Sequence, residues 1–90
     1  MTSVPVTIYS SEWCGYCWRA KQLLDGKEVA YRELVVDGDA ELRREMEARS
    51  GRSTVPQIFV GDVHVGGYDD LAALERAGRL DGLLATGSAD

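Results

Sequence analysis

Glycine punctuates this chain so often that only short elements fit between the breaks. Gly26, Gly38, Gly51, Gly61, the pair Gly66–Gly67 and Gly78 separate runs that each carry one clear periodicity. Val6 to Tyr9 alternate in β-forming residues, and Pro5 stands at the start of that run, where its missing N–H costs little. WRAKQLL then repeats Ala20, Leu23 and Leu24 at helical spacing, and Gly26 is predicted to end the helix. Tyr31 to Val36 read as a second strand. Asp37-Gly38-Asp39 is a turn, with Asp39 placed to cap the helix AELRREMEARS, which Gly51 stops. Leu42 and Met46 share one face of that helix, and its run of charges is a solvated face. Val55 to Val60 form a third strand, Gly61-Asp62 a tight hairpin turn and Val63 to Val65 a short fourth strand. His64 is expected to face solvent. YDDLAALERAG is a third helix with Leu71 and Leu74 inward, Leu80 to Ala85 a last helical turn, and TGSAD (86–90) a frayed tail.

The order β-α-β-α-β-β-α restricts the topology. A strand, a helix and a strand in succession give a parallel pair with a right-handed crossover, and the last two strands pair as a hairpin. The expected fold class is therefore α/β: one domain over 1–90, with a four-stranded mixed sheet and helices on its faces. A net charge of -5 argues against a nucleic-acid partner, which needs a basic face. No apolar run reaches membrane-spanning length, and MTSVPVTIYS lacks the basic start and apolar stretch of a secretory signal. A cytoplasmic location is the expectation.

The chain has two cysteines, Cys14 and Cys17, set in SEWCGYCWRA between the first strand and the first helix. Cys14 falls near the helix N-cap, where free N–H groups and the positive end of the dipole favour a thiolate. That makes Cys14 the attacking sulfur. Cys17 lies one turn on, facing the same way, and can resolve a disulfide formed at Cys14. Two cysteines are also half of a zinc site, but His64 is the only histidine to add, and carboxylates or a second chain would have to complete the set. Two inert buried cysteines are the remaining option; a helix start after a strand is an exposed, electropositive place for them. The redox pair fits best, and no metal ligand set is expected.

Two further motifs have local meanings. The proline of Thr54-Val55-Pro56 removes a ladder donor and is open to the cis form. The backbone there is either a simple strand edge or a place for an extended peptide to pair. GGYDD offers two glycines for close backbone approach and two acids at a helix start. Its N–H groups can hold a carboxylate, and Asp69 or Asp70 an ammonium; a plain capped helix is the other possibility.

CGYC, RSTVPQIFVGD and HVGGYDDLAALERAGRLDGLL together resemble a small bacterial dithiol glutaredoxin, from Val6 to about Leu84. The resemblance implies a thioredoxin-like (glutaredoxin) fold with Pro56 cis and facing Cys14. It implies glutathione as co-substrate, in a groove that takes in Thr54 and Gly67. Val55 would pair its backbone with the cysteinyl part. The γ-glutamyl carboxylate would rest on the backbone of Asp69 and Asp70, and the Asp70 carboxylate would bind the ammonium. Tyr16 would flank the sulfur, and Arg43 would approach the glycyl carboxylate.

Several positions depart from the family pattern. Gly15 replaces the usual proline between the cysteines, Ser11 stands where a basic residue is common, with Glu12 adding negative charge, and Tyr68 follows the double glycine. Trp13 and Trp18 are also unusual. WCGYC is similar to the motif of the mycoredoxins, which use mycothiol. Trp18 either walls the site or packs half-buried. The implied activity is glutathione-dependent reduction of protein–glutathione mixed disulfides and of protein disulfides by a monomer. The competing class is a carrier of a [2Fe–2S] cluster, with Cys14 of two chains and two glutathiones as ligands.

Overall fold

The computed structural model describes residues 4–87. Four strands and four helices follow in the order β1 (Val6–Ser10), α1 (Gly15–Gly26), β2 (Arg32–Val35), α2 (Ala40–Ser50), β3 (Gln57–Val60), β4 (Val63–Gly66), α3 (Tyr68–Arg76) and α4 (Leu80–Thr86). The sheet runs β2-β1-β3-β4. β1 and β2 are parallel, and both β1–β3 and β3–β4 are antiparallel, as the element order requires.

Strand alternation divides the interior in two. Ile8 and Ile58 point to the face covered by Ala20 and Leu24 of α1, Leu71 of α3 and Leu80 of α4. Tyr9 and Phe59 point to the other face, where Met46 of α2 and Val36 close a smaller cluster. Each fully buried aliphatic side chain contributes about 1.5–3 kcal/mol of burial energy, so the larger cluster dominates the stability. On the smaller face the Tyr9 hydroxyl donates to Glu45 at 2.5 Å and accepts from Arg49 at 2.8 Å. The Arg49 guanidinium also lies 4.1 Å above the Phe59 ring, tying α2 to the sheet.

Several details differ from the local sequence signals, among them the bounds of β2 (Arg32–Val35, not Tyr31 to Val36) and the start of β3 at Gln57 and not Val55. Gly26 is the last helical residue of α1, and the left-handed position after it is taken by Glu28 (φ 58°). The last helical turn is a helix, α4, that includes Thr86 and ends on Gly87 in the left-handed conformation. Of the segment expected to fray, Thr86 is helical and Gly87 caps the helix, and 88–90 lie outside the described residues. No helix among the described residues is long and apolar enough to cross a membrane.

Candidate active site

Cys14 is the N-cap of α1, in extended backbone geometry (φ -110°, ψ 111°). Its sulfur accepts a hydrogen bond from the Cys17 N–H at 3.1 Å, and its carbonyl accepts from Trp18 N–H at 3.1 Å. The sulfur therefore satisfies one of the donors that a helix start leaves orphaned. Ser11 and Glu12 are held by Asp37, which accepts from the Ser11 hydroxyl at 2.7 Å and the Glu12 N–H at 2.9 Å. The Glu12 N–H, then the Ser11 hydroxyl, hold the Asp37 carboxyl below the usual carboxylate range. Cys14 is partly buried; Cys17 is buried, and both are free thiols. Burial, and then the hydrogen bond with Cys14, push the Cys17 thiol up to about 12. One sulfur is thus accessible and the other is shielded, an arrangement suited to attack followed by resolution.

The Thr54–Pro56 segment faces this sulfur. The Val55–Pro56 bond is cis, and the Cys14 Sγ lies 3.7 Å from the Val55 carbonyl as a thiol donor. β3 pairs with β1 only from Gln57 onward, so the backbone of 54–56 lies outside the ladder. Beneath it Gln57 is buried and donates to the Thr54 carbonyl at 3.0 Å and hydroxyl at 3.3 Å. The Gln57 carbonyl oxygen meets His64 Nε2 at 2.7 Å. Because that oxygen is an acceptor, the Nε2 nitrogen carries the proton. His64 also packs its ring 4.9 Å from that of Phe59. The solvent-facing placement expected for it is corrected: β4 turns the ring toward Gln57 and Phe59. Burial, then the Arg52 charge, lower its pKa, and Asp70 opposes them.

The start of α3 lies beside the Thr54–Pro56 segment. Gly67 is the N-cap, and its N–H donates to Asp70 Oδ2 at 3.0 Å. Arg52 Nη1 reaches the same oxygen at 3.2 Å. The Gly67 N–H, followed by Arg52, keeps Asp70 below the usual carboxylate range against the cost of burial. Gly66 adopts φ 116°, and a side chain there would run into the Asp70 carboxylate. Gly67 leaves room for the Pro56 carbonyl, 3.6 Å from where a Cβ would sit.

An open groove of about 260 Å³ runs between the Thr54–Pro56 segment and the start of α3; Cys14 is not among its lining residues and adjoins it through Val55, whose carbonyl its sulfur meets. Tyr16 and Tyr68 line one part of it, Thr54, Val55 and Pro56 another, and Gly67, Asp69 and Asp70 the start of α3. The two tyrosine rings stack with centroids 6.3 Å apart. Arg43 is not among the lining residues. It donates to the Ser53 carbonyl at 3.3 Å, and the cation that lines the groove is Arg52. Arg52, Gln57 and His64 escaped sequence reasoning; RSTVPQ carries the first two, but nothing local shows that they converge with a residue of β4. Trp13 is 93% exposed; Trp18 is 60% exposed and is not among the groove's lining residues. Among the described residues, no group of three or more histidines, cysteines or acids is gathered as a metal site.

A cysteine pair at a helix start, a cis-proline segment against the first sulfur and a groove beside it have known counterparts. Residues 6–65 match the family model of glutaredoxin. This chain belongs to the glutaredoxin family. A Pseudomonas aeruginosa glutaredoxin is 58% identical over 81 residues, 90% of this chain and 96% of that protein. The solution structure of glutaredoxin from Brucella melitensis superposes with a TM-score of 0.86 at 53% identity, covering 98% of this chain and 96% of the other. A buckwheat glutaredoxin–glutathione complex superposes with a TM-score of 0.82 at 31% identity, covering 90% of this chain and 76% of that one. As a glutaredoxin the chain has the thioredoxin-like fold and is a thiol–disulfide oxidoreductase.

Proposed function

We propose that the chain reduces protein–glutathione mixed disulfides and protein disulfides, with glutathione as co-substrate. The observation that carries this is the position of the Cys14 sulfur. It caps α1, it lies beside the unladdered Val55 carbonyl, and the groove next to it ends at a second helix start. The glutathione bound by the buckwheat relative supports the same ligand here.

In the first branch the Cys14 thiolate attacks the glutathione sulfur of the mixed disulfide. The protein thiolate leaves and takes up a proton, and Cys14 carries glutathione. A second glutathione thiolate attacks that glutathione sulfur, forms glutathione disulfide and frees Cys14. In the second branch the Cys14 thiolate attacks one sulfur of a protein disulfide and the other sulfur leaves as a thiolate. Cys17 then attacks Cys14 Sγ, the bound substrate sulfur leaves, and two glutathiones reduce the resulting Cys14–Cys17 disulfide to yield glutathione disulfide.

In the groove, Val55 offers backbone hydrogen bonds to the cysteinyl part, and the N–H groups of Asp69 and Asp70 receive the γ-glutamyl carboxylate. Asp70 meets both Gly67 and Arg52 through Oδ2, so Oδ1 keeps its acceptor capacity for an ammonium. Arg52 lines the same groove, which suits it to the glycyl carboxylate better than Arg43 on the Ser53 carbonyl. Tyr16, Thr54, Pro56 and Gly67 shape the walls.

Cys17→Ser tests the division of labour. Turnover of a glutathionylated protein is expected to persist, and reduction of a protein disulfide to fall by more than tenfold. Loss of both activities would remove the one-thiol branch. Faster turnover with mycothiol than with glutathione would transfer the groove to that thiol. A brown dimer after anaerobic reconstitution with iron, sulfide and glutathione would add cluster binding.

A further inference from the structure

The two-thiol branch makes Cys17 a nucleophile, yet Cys17 is the shielded sulfur of the pair. Desolvation and the neighbouring Cys14 both work against its thiolate, and the counterforces are a backbone hydrogen bond at Ser11 and the charge of Lys21. Lys21 follows Cys17 by four residues in α1, which places the two side chains on one helix face with Cβ atoms about 5–6 Å apart.

Lys21 is held in place. Its Nζ lies 2.8 Å from Glu33 Oε2 on β2. The same oxygen accepts from the hydroxyl of Ser10 at 2.6 Å, and Ser10 is the fully buried last residue of β1. The hydroxyl thus anchors the carboxylate, and the carboxylate fixes the ammonium where α1 meets the β1–β2 edge.

We propose that Lys21, fixed by Glu33 and Ser10, is a positioning cation for the resolving thiol Cys17. The inference rests on the reading of Cys17 as the resolving thiol. Its role is electrostatic. Glu33 holds Lys21 above its ordinary range, and Lys21, then Ser10, hold Glu33 below its own, so the pair stays ionised at neutral pH. Neither group is a useful proton acceptor there. The other titratable groups that act on the cluster are Cys14 at the helix start and Tyr31, which has Asp25 beside it. Lys21 is the cation of this set. When Cys14 is tied up in a mixed disulfide it no longer repels a thiolate at Cys17, and the lysine then meets little opposition. The Cys17 thiol loses its proton, its thiolate attacks Cys14 Sγ, and the Cys14–substrate S–S bond breaks. The substrate sulfur leaves with the electron pair and takes up the equivalent of the proton that Cys17 gave to solvent, so two electrons pass from the dithiol to the substrate with no net change in protons.

The test titrates Cys17 alone, in a Cys14→Ser background, by ultraviolet thiolate absorbance. Lys21→Met is expected to give about fivefold less thiolate at a given pH, and Lys21→Arg to restore it. High salt should shrink the difference. Protein-disulfide turnover in the two-cysteine enzyme should fall by a similar factor. Lys27→Met removes a cation paired with Glu75 and Asp81 and controls for net charge. Superimposable titrations of Lys21→Met and its parent would overturn the proposal. So would a deficit that Lys21→Arg shares and salt does not change, since that marks a packing role. A shifted titration with unchanged protein-disulfide turnover would keep the electrostatic coupling and strike out Cys17 as the resolving thiol. The titration uses no glutathione, so its outcome is independent of the groove's ligand.

Discussion

Two helices begin on either side of the same groove, and they are capped by different chemistry. At the start of α1 the cap is the sulfur of Cys14, which takes the Cys17 N–H. At the start of α3 it is the Asp70 carboxylate, which takes the Gly67 N–H and is braced by Arg52. Both answer the same requirement, the orphaned donors of a helix terminus. They differ in what else the capping atom must do. In the proposed reaction the sulfur leaves its post to form a covalent bond, whereas the carboxylate stays and leaves neighbouring N–H groups to glutathione. On that reading one helix start serves reaction and the other recognition.

The largest effect follows from separating capping from reaction at α1. Serine is among the best N-cap residues, so Cys14→Ser is expected to stay within about 1 kcal/mol of the parent in stability. Both reductions should nevertheless fall to background, because a hydroxyl is not ionised at neutral pH. Paired denaturation and turnover measurements check this. A variant that unfolds would show that the sulfur is needed for the fold as well.

The second effect belongs to α3. Asp70→Ala removes the cap of Gly67, the partner of Arg52 and the candidate ammonium site together. Its KM for a glutathionylated substrate is expected to rise by roughly 5–30-fold, about 1–2 kcal/mol, with kcat little changed. A fall in kcat at constant KM would break the contrast, since both helix starts would then act on the chemical step.

The smallest effect lies between the two helices, where His64 and Gln57 support the Thr54–Pro56 segment. Burial and Arg52 lower the folded-state pKa of His64, so the unfolded chain binds more protons between that value and the ordinary histidine value. The stability this contributes is present above the ordinary value and is lost as pH falls through the lowered one. His64→Gln should therefore lose less stability than the parent on going from neutral to mildly acid pH. Parallel slopes in urea denaturation would remove the histidine from that account.

The strands and the three longer helices were legible because each has its own periodicity and its own breaker. Both helix starts could be read from single motifs: CGYC after a strand, and a double glycine before two acids. What stayed hidden joins residues that are far apart in the chain. Arg52 reaches Asp70 across 18 positions, and Ser10 reaches Glu33 across 23. No local pattern encodes such pairs, because a charge on a helix or strand face looks the same with or without its partner. The placement of Arg43 illustrates the difficulty. Two arginines lie near the TVP segment, and only the folded chain distinguishes the one that lines the groove from the one on the Ser53 carbonyl. His64 misled for a similar reason: β4 is short, and the register of β3 against β4 shifts between Ile58 and Phe59.

The hydrogen bond from the Cys17 amide to the Cys14 sulfur gives the molecule a built-in gauge. An amide proton resonates at a field set largely by the charge on its acceptor. The Cys17 backbone signal should thus take separate values for a thiolate, a thiol and a sulfur carrying glutathione. Following that one cross-peak through a turnover would time the arrival and departure of each partner at Cys14, with no label beyond nitrogen-15 in the chain.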